Sequence, residues 1–217
     1  MNKQVNISQE RIIELYGDYL LNEGERPKNV YAFAKEHNFE EQEFYHYFSG
    51  FEQIEREIPD HIFKKSLELA SEVNYSQEIT TKEKLLNVYY IFFENLTMNR
   101  SLVLAILGSG KINSIKTLQT LRKTHREFVM TLDFKEWEMI DNAKESIRDF
   151  NEKTRQEALW FHLVGAIEFW KKDTSPDFEK TDIFIEKTID TGFEFLDNES
   201  LRKVFDLGKF LWKENFR

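Results

Sequence analysis

Gln42 and Glu43 lie in the stretch AFAKEHNFEEQEFYHYF, residues 32–48, and both side chains can address base edges. A glutamine amide pairs with adenine, and a glutamate carboxylate accepts from the cytosine amino group. Lys28 and Lys35 are the nearby cations that phosphates would need. Asn29 stands where a helix N-cap would leave backbone N–H groups for a phosphate. Against this chemistry, Glu40, Glu41 and Glu43 place negative charge on the segment that would face DNA. Residues 1–56 carry six basic and eleven acidic side chains, a balance of -5, and the whole chain carries -9. A carboxylate near a phosphate adds repulsion where a basic side chain would gain counterion release. Two readings therefore stand together: a reader of bases with few phosphate contacts, or a fold element that has lost its reading function.

Other chemistries find little support. There is no Cys, which excludes disulfides, thiolate metal sites and cysteine nucleophiles. His37, His46, His61, His125 and His162 are scattered without metal-binding spacing. The segment GSGK at 108–111 lacks the glycine spacing and the hydroxyl residue of a phosphate loop. No nucleophile elbow or paired-carboxylate pattern stands out, so the residues argue for no enzyme, cofactor or metal. Aromatic residues are dense in the later part of the chain. Tyr89, Tyr90, Phe92, Phe93, Phe128, Trp137, Trp160, Phe161, Phe169 and Trp170 could line a pocket for an apolar ligand, although each alone also reads as ordinary core.

The elements that must position these residues read as helices. Hydrophobic residues make up 41% of the 217, with only 3 Pro and 8 Gly, a composition that favours an all-α protein with a real core. Ser8 caps a first helix that ends at Gly24. A second short helix spans about 30–36, Asn38 makes a left-handed turn, and a third spans about 40–47 with Phe44 and Phe48 inward. Three such helices are too small for a robust core alone, so they must lean on the helices C-terminal to them. A linker helix over 53–71 is interrupted near Pro59. Thr80 and Glu83 form a capping box. Further helices are expected over 100–107, 114–131, 133–150 (capped by Asp133 and Glu136), 154–172, 176–197 (Ser175 as N-cap, Pro176 at the first position) and about 200–217. The most apolar stretch, ALWFHLVGAIEFW, is too short to span a membrane and contains His162 and Glu168. The start of the chain lacks the apolar centre of a signal peptide, and the expectation is a cytoplasmic protein. Helices 154–172 and 176–197 each show two apolar faces, one for the core and one for something else. The alternative is a pair of core helices in a monomer.

Residues 29–54, NVYAFAKEHNFEEQEFYHYFSGFEQI, resemble the TetR family of one-component regulators. Phe33 and Ala34 match its apolar-Ala step. Phe39, Phe44, Tyr45 and Phe48 match its apolar and aromatic positions, and Glu52 and Ile54 match the start of its linker helix. The chain departs from the pattern at the turn glycine, which is Asn38, and at the usual phosphate-touching lysine, which is Phe51. Glu40, Glu41 and Glu43 replace the small polar and basic residues that usually open the reading helix. A second segment, residues 169–190, is similar to some TetR-family C-terminal domains and to the lipid-binding accessory proteins of ubiquinone biosynthesis, through Trp170, Asp173, Ser175, Pro176, Phe178 and Thr181.

The resemblance implies a TetR-like fold, with a three-helix helix-turn-helix module at 1–52 and a larger ligand-binding and dimerisation bundle at 53–217. It places Tyr45 and His46 at phosphates and Gln42 and Glu43 at bases. It implies operator DNA and an apolar small molecule as partners, the latter among Tyr89, Phe92, Phe93, Phe128, Trp137, Trp160 and Phe161. It also implies a homodimer, with Val164, Ile167, Trp170, Ile185, Ile189 and Phe193 as interface candidates. Two other functions fit the same features: a TetR-fold carrier of lipid or isoprenoid without DNA binding, and an adaptor that binds protein through its acidic face.

Overall fold

Local signals set the first three helices. In the computed structural model, which describes residues 7–72, 79–108, 115–134 and 145–197, α1 (Gln9–Glu23) starts at Ser8. The Ser8 side chain accepts the Arg11 N–H at 3.2 Å, and the helix stops at Gly24 with φ 74°. α2 (Val30–Glu36) is capped by Asn29, which accepts the Ala32 N–H at 2.8 Å. Asn38 takes the left-handed turn at φ 59°, and α3 (Glu41–Tyr45) comes next. Phe33 is the centre of this module. Tyr16, Tyr19, Phe39, Phe44 and Phe51 meet its ring edge-to-face at 5.5–6.4 Å between centroids, a geometry that aromatic quadrupoles favour.

α4 (Phe51–Glu72) differs from the sequence expectation by running unbroken through Pro59. A proline inside a helix costs about 3 kcal/mol. Burial of Ile54, Ile58 and Phe63 on both sides of it holds the helix straight through. α5 (Thr81–Met98) starts with the expected capping box: the Thr80 N–H reaches the Glu83 carboxylate at 2.7 Å, and the Glu83 N–H reaches the Thr80 hydroxyl at 3.2 Å. α6 (Arg100–Leu107) packs on α1 at Gly17. A Cβ there would lie 3.2 Å from a Leu102 methyl, so the missing side chain permits the close approach.

α7 (Gln119–Thr131) is preceded by a separate helical stretch over 115–117. α8 (Glu145–Lys172) is one helix where two were expected, because residues 150–155, FNEKTR, contain no Gly or Pro to end it. The second of the expected caps, Glu136, and the helix expected over 200–217 lie outside the described residues. A 3₁₀ turn (Pro176–Phe178) precedes α9 (Glu179–Asp197), so the Pro176 start is a tight turn rather than the first α turn. Every regular element among the described residues is helical.

By backbone contacts the chain divides into two units, residues 1–72 with 91–125, and residues 73–90 with 126–217. The first holds the core around Phe33, extended by Ile12, Leu20, Ile54, Ile58 and Ile106. In the second, α8 and α9 pack together, and Leu163, Ile167, Trp170, Ile185 and Ile189 are buried.

Candidate functional site

The α2–turn–α3 segment exposes one set of side chains and withdraws another. Gln42 and His46 are exposed, and so are Tyr31, Tyr45 and Tyr47 at 59%, 52% and 41%. Lys28 and Lys35 are exposed as well, with the Lys35 ammonium 6.0 Å from the centre of the Tyr31 ring. Glu43 is a correction to the base-reading set. Its side chain is buried, and its carboxylate turns back to accept the Glu40 N–H at 3.1 Å. It is the third-residue carboxylate of a capping box and is occupied in starting α3. Glu41 accepts from the Tyr45 hydroxyl at 3.3 Å. Asn29 spends its side-chain oxygen on the Ala32 N–H, as an N-cap.

Some charges of the module are engaged with one another. Arg26, in the loop before α2, donates from Nε at 2.7 Å and from a terminal nitrogen at 2.5 Å to Glu55, and reaches Glu52 at 2.5 Å. The Tyr16 hydroxyl donates to the same Glu55 carboxylate at 2.6 Å. Burial and the neighbouring carboxylate push the Tyr16 phenol up, and hydrogen bonds to Glu55 push the Arg26 guanidinium up. One cation, Arg26, thus serves two carboxylates, Glu52 and Glu55.

In the second unit, His162 of α8 is stacked between Tyr89 (5.8 Å, 14°) and Phe184 (6.4 Å, 6°), and Phe184 stacks on Phe169 (4.6 Å, 9°). Burial pushes the imidazole down to about 4, so it is neutral at pH 7. Its Nε2 lies 2.7 Å from the Thr188 hydroxyl, which also lies 2.6 Å from the Phe184 carbonyl. The direction of the His162–Thr188 bond follows the imidazole tautomer, and with it whether Nδ1 donates or accepts. Nδ1 is buried, and no hydrogen-bond partner among the described residues reaches it.

Residues 84–211, more than half of the chain, match the family model described as "Tetracyclin repressor-like, C-terminal domain". The chain belongs to the TetR family. Its all-α TetR-like fold agrees with the helical architecture above. No curated protein matches the chain.

For a TetR-family protein the remaining candidates fall unevenly. Tyr89, Phe92, Phe93 and Trp160 are buried, Phe128 is half-buried, and Phe161 is exposed at 64%. Phe92 and Phe93 belong to the first unit; Tyr89, Phe128, Trp160 and Phe161 belong to the second. Trp137 lies outside the described residues. Of the interface candidates, Ile167, Trp170, Ile185, Ile189 and Phe193 are buried within a single chain and Val164 is half-buried. Among the described side chains of α8 and α9, the large apolar ones that are exposed are instead Phe161, Phe169 and Ile183. Sequence reading passed over His162 as a binding group. Its signal was a lone imidazole in the middle of ALWFHLVGAIEFW, an apolar run in which a polar ring needs a partner.

Among the described residues, no helix is long and apolar enough to cross a membrane.

Proposed function

We propose that this TetR-family chain is a one-component transcriptional regulator that binds operator DNA as a homodimer and releases it when an apolar small molecule binds. In this reading residues 1–52 form the DNA-reading module and residues 53–217 the ligand and dimer domain. The observation that carries it is the exposed row on α2 and α3. Gln42 is free to read a base, while Tyr31, Tyr45, Tyr47 and His46 offer hydrogen-bonding groups to phosphates, with Lys28 and Lys35 at the flank. Glu43 is turned inward and Glu52 and Glu55 gather on Arg26, so these three carboxylates are engaged within the module, while its balance of -5, which already counts Arg26, stands. Few phosphate contacts by cations predict a shallow dependence of affinity on salt.

The test is selection of genomic fragments at low salt, then salt titration of any enriched site. A pseudo-palindrome is expected. Gln42→Ala should then cost about 1–3 kcal/mol at one base position and relax specificity there, and Lys28→Ala should weaken all sites alike and lower the salt slope by about 1. No enrichment at low salt would refute DNA reading. The -5 balance of residues 1–56 would then favour the lipid or isoprenoid carrier, with an acidic adaptor as the remaining possibility.

The ligand reading draws support from the His162 stack. An apolar wall with one unfilled ring nitrogen suits a ligand that carries a single hydrogen-bonding group. The dimer reading rests on Phe161, Gly165 and Phe169, spaced four apart on α8 and exposed, together with Ile183 of α9. Phe161→Glu is expected to convert a dimer to monomers in sedimentation equilibrium with little loss of monomer stability. Ile167→Ala should instead cost about 2–5 kcal/mol of stability as a core cavity. A wild-type protein that sediments as a monomer at high concentration would overturn the dimer.

A further inference from the structure

The first unit contains a cleft of about 820 Å³ that neither the exposed row on α3 nor the His162 stack uses. Its walls are α1 and α4, together with the end of α5 and the start of α6. Ile13, Leu21, Ile58, Ile62, Met98 and Leu102 supply an apolar lining. Leu21 and Met98 stand open to solvent at 48% and 70%. The volume is that of small-molecule sites, roughly 300–1,000 Å³.

The charges around this lining invert the balance of the chain. Arg11, Lys65 and Arg100 line the cleft against Glu14 and Asp18, with His61 beside them, in a protein of 39 acidic and 30 basic residues. Arg11 reaches Glu14 at 2.9 Å and Lys65 reaches Glu68 at 3.1 Å. All four side chains are more than half exposed. Water screens such pairs to little net value, so a ligand carboxylate can replace either partner at small cost.

We propose that this cleft binds a single-tailed amphiphilic anion, a long-chain carboxylate, with its tail on the apolar lining and its head group met by Arg11 and Lys65. Six of the seventeen lining residues belong to α1, the first helix of the helix-turn-helix module, so the ligand would bind that module directly. The site is separate from the proposed aromatic ligand site, and its test does not depend on DNA binding.

Isothermal titration of the full chain with dodecanoate, below its micelle concentration, tests this. Saturable binding at or below about 100 μM is expected, at least tenfold weaker for neutral methyl dodecanoate. The double variant Arg11→Glu/Lys65→Glu should weaken dodecanoate tenfold or more. Met98→Glu, an exposed position that tolerates charge, should do the same by placing a carboxylate at the mouth. Lys187→Glu, at an exposed position of the second unit, should leave the affinity unchanged. Absence of binding, equal affinity for the neutral ester, or loss through Lys187→Glu with no loss in the cleft variants would each overturn the assignment.

Discussion

Glu55→Ala is expected to destabilise the protein by about 3–5 kcal/mol, read as a fall in the urea midpoint without change of slope. The Glu55 side chain is 8% exposed. It accepts from the buried Tyr16 hydroxyl of α1 and, through two nitrogens, from Arg26. Removing the carboxylate leaves a phenol with no acceptor and a guanidinium whose inner edge is desolvated, and such orphaned groups cost more than the intact pair contributes. Arg26 keeps 45% of its side chain in water, which places the effect toward the lower end of the range. Tyr16→Phe removes only one hydrogen bond and should cost about 1–2 kcal/mol. In a double-mutant cycle, Glu55→Ala in the Tyr16→Phe background should cost less than in the wild type, because the orphaned hydroxyl is already gone. A Glu55→Ala effect below about 1 kcal/mol would show that the network carries no such weight.

The same network marks where sequence reading stops. Ser8, Gly24, Asn29, Asn38 and the Thr80–Glu83 box were legible because each acts within three or four residues of itself, and all sit where expected. Glu55 and Arg26 are 29 residues apart, so a count of charges includes both groups without showing that they pair. Glu43 failed for a subtler reason. Glu40-x-x-Glu43 has the spacing of a capping box, but with Glu where Ser or Thr usually stands, so the inward turn of Glu43 was not distinguished from an outward one. On α8 and α9 the periodicity correctly gave two apolar faces, yet a stripe of apolar residues does not say which face meets its own core. Ile167, Ile185 and Ile189 proved to be the inner one. The apparent gap between helices near residue 150 had no breaker behind it, and the helix simply continued.

The turn between α8 and α9 depends on one carboxylate, and Asp173→Asn should cost on the order of 2–4 kcal/mol at pH 7. Asp173 is buried. One of its oxygens accepts from the Ser175 N–H at 2.8 Å and hydroxyl at 2.6 Å; the other accepts from the Thr181 N–H at 2.9 Å and hydroxyl at 2.7 Å. Asparagine would aim an N–H₂ at one of these donor pairs and leave it without an acceptor. The carboxylate is well suited to this turn, in which Asp177 and Phe178 both adopt positive φ, at 50° and 59°, a strain that neighbouring contacts must hold. Burial works to raise the Asp173 carboxyl, but the hydrogen bonds from Ser175 and Thr181 together overcome it and hold the group down to about 2. In the unfolded chain an aspartate titrates near 3.9. A folded value below the unfolded one means that the ionised group favours the folded state. Its contribution is complete above about pH 4 and disappears as pH falls from about 4 through 2. The difference in urea midpoint between wild type and Asp173→Asn should therefore be constant from pH 7 to about 5, shrink between about 4 and 2, and shrink in the direction of the variant. A difference that held steady through pH 3, or grew, would mean that Asp173 supports the turn by shape alone and that its charge contributes nothing.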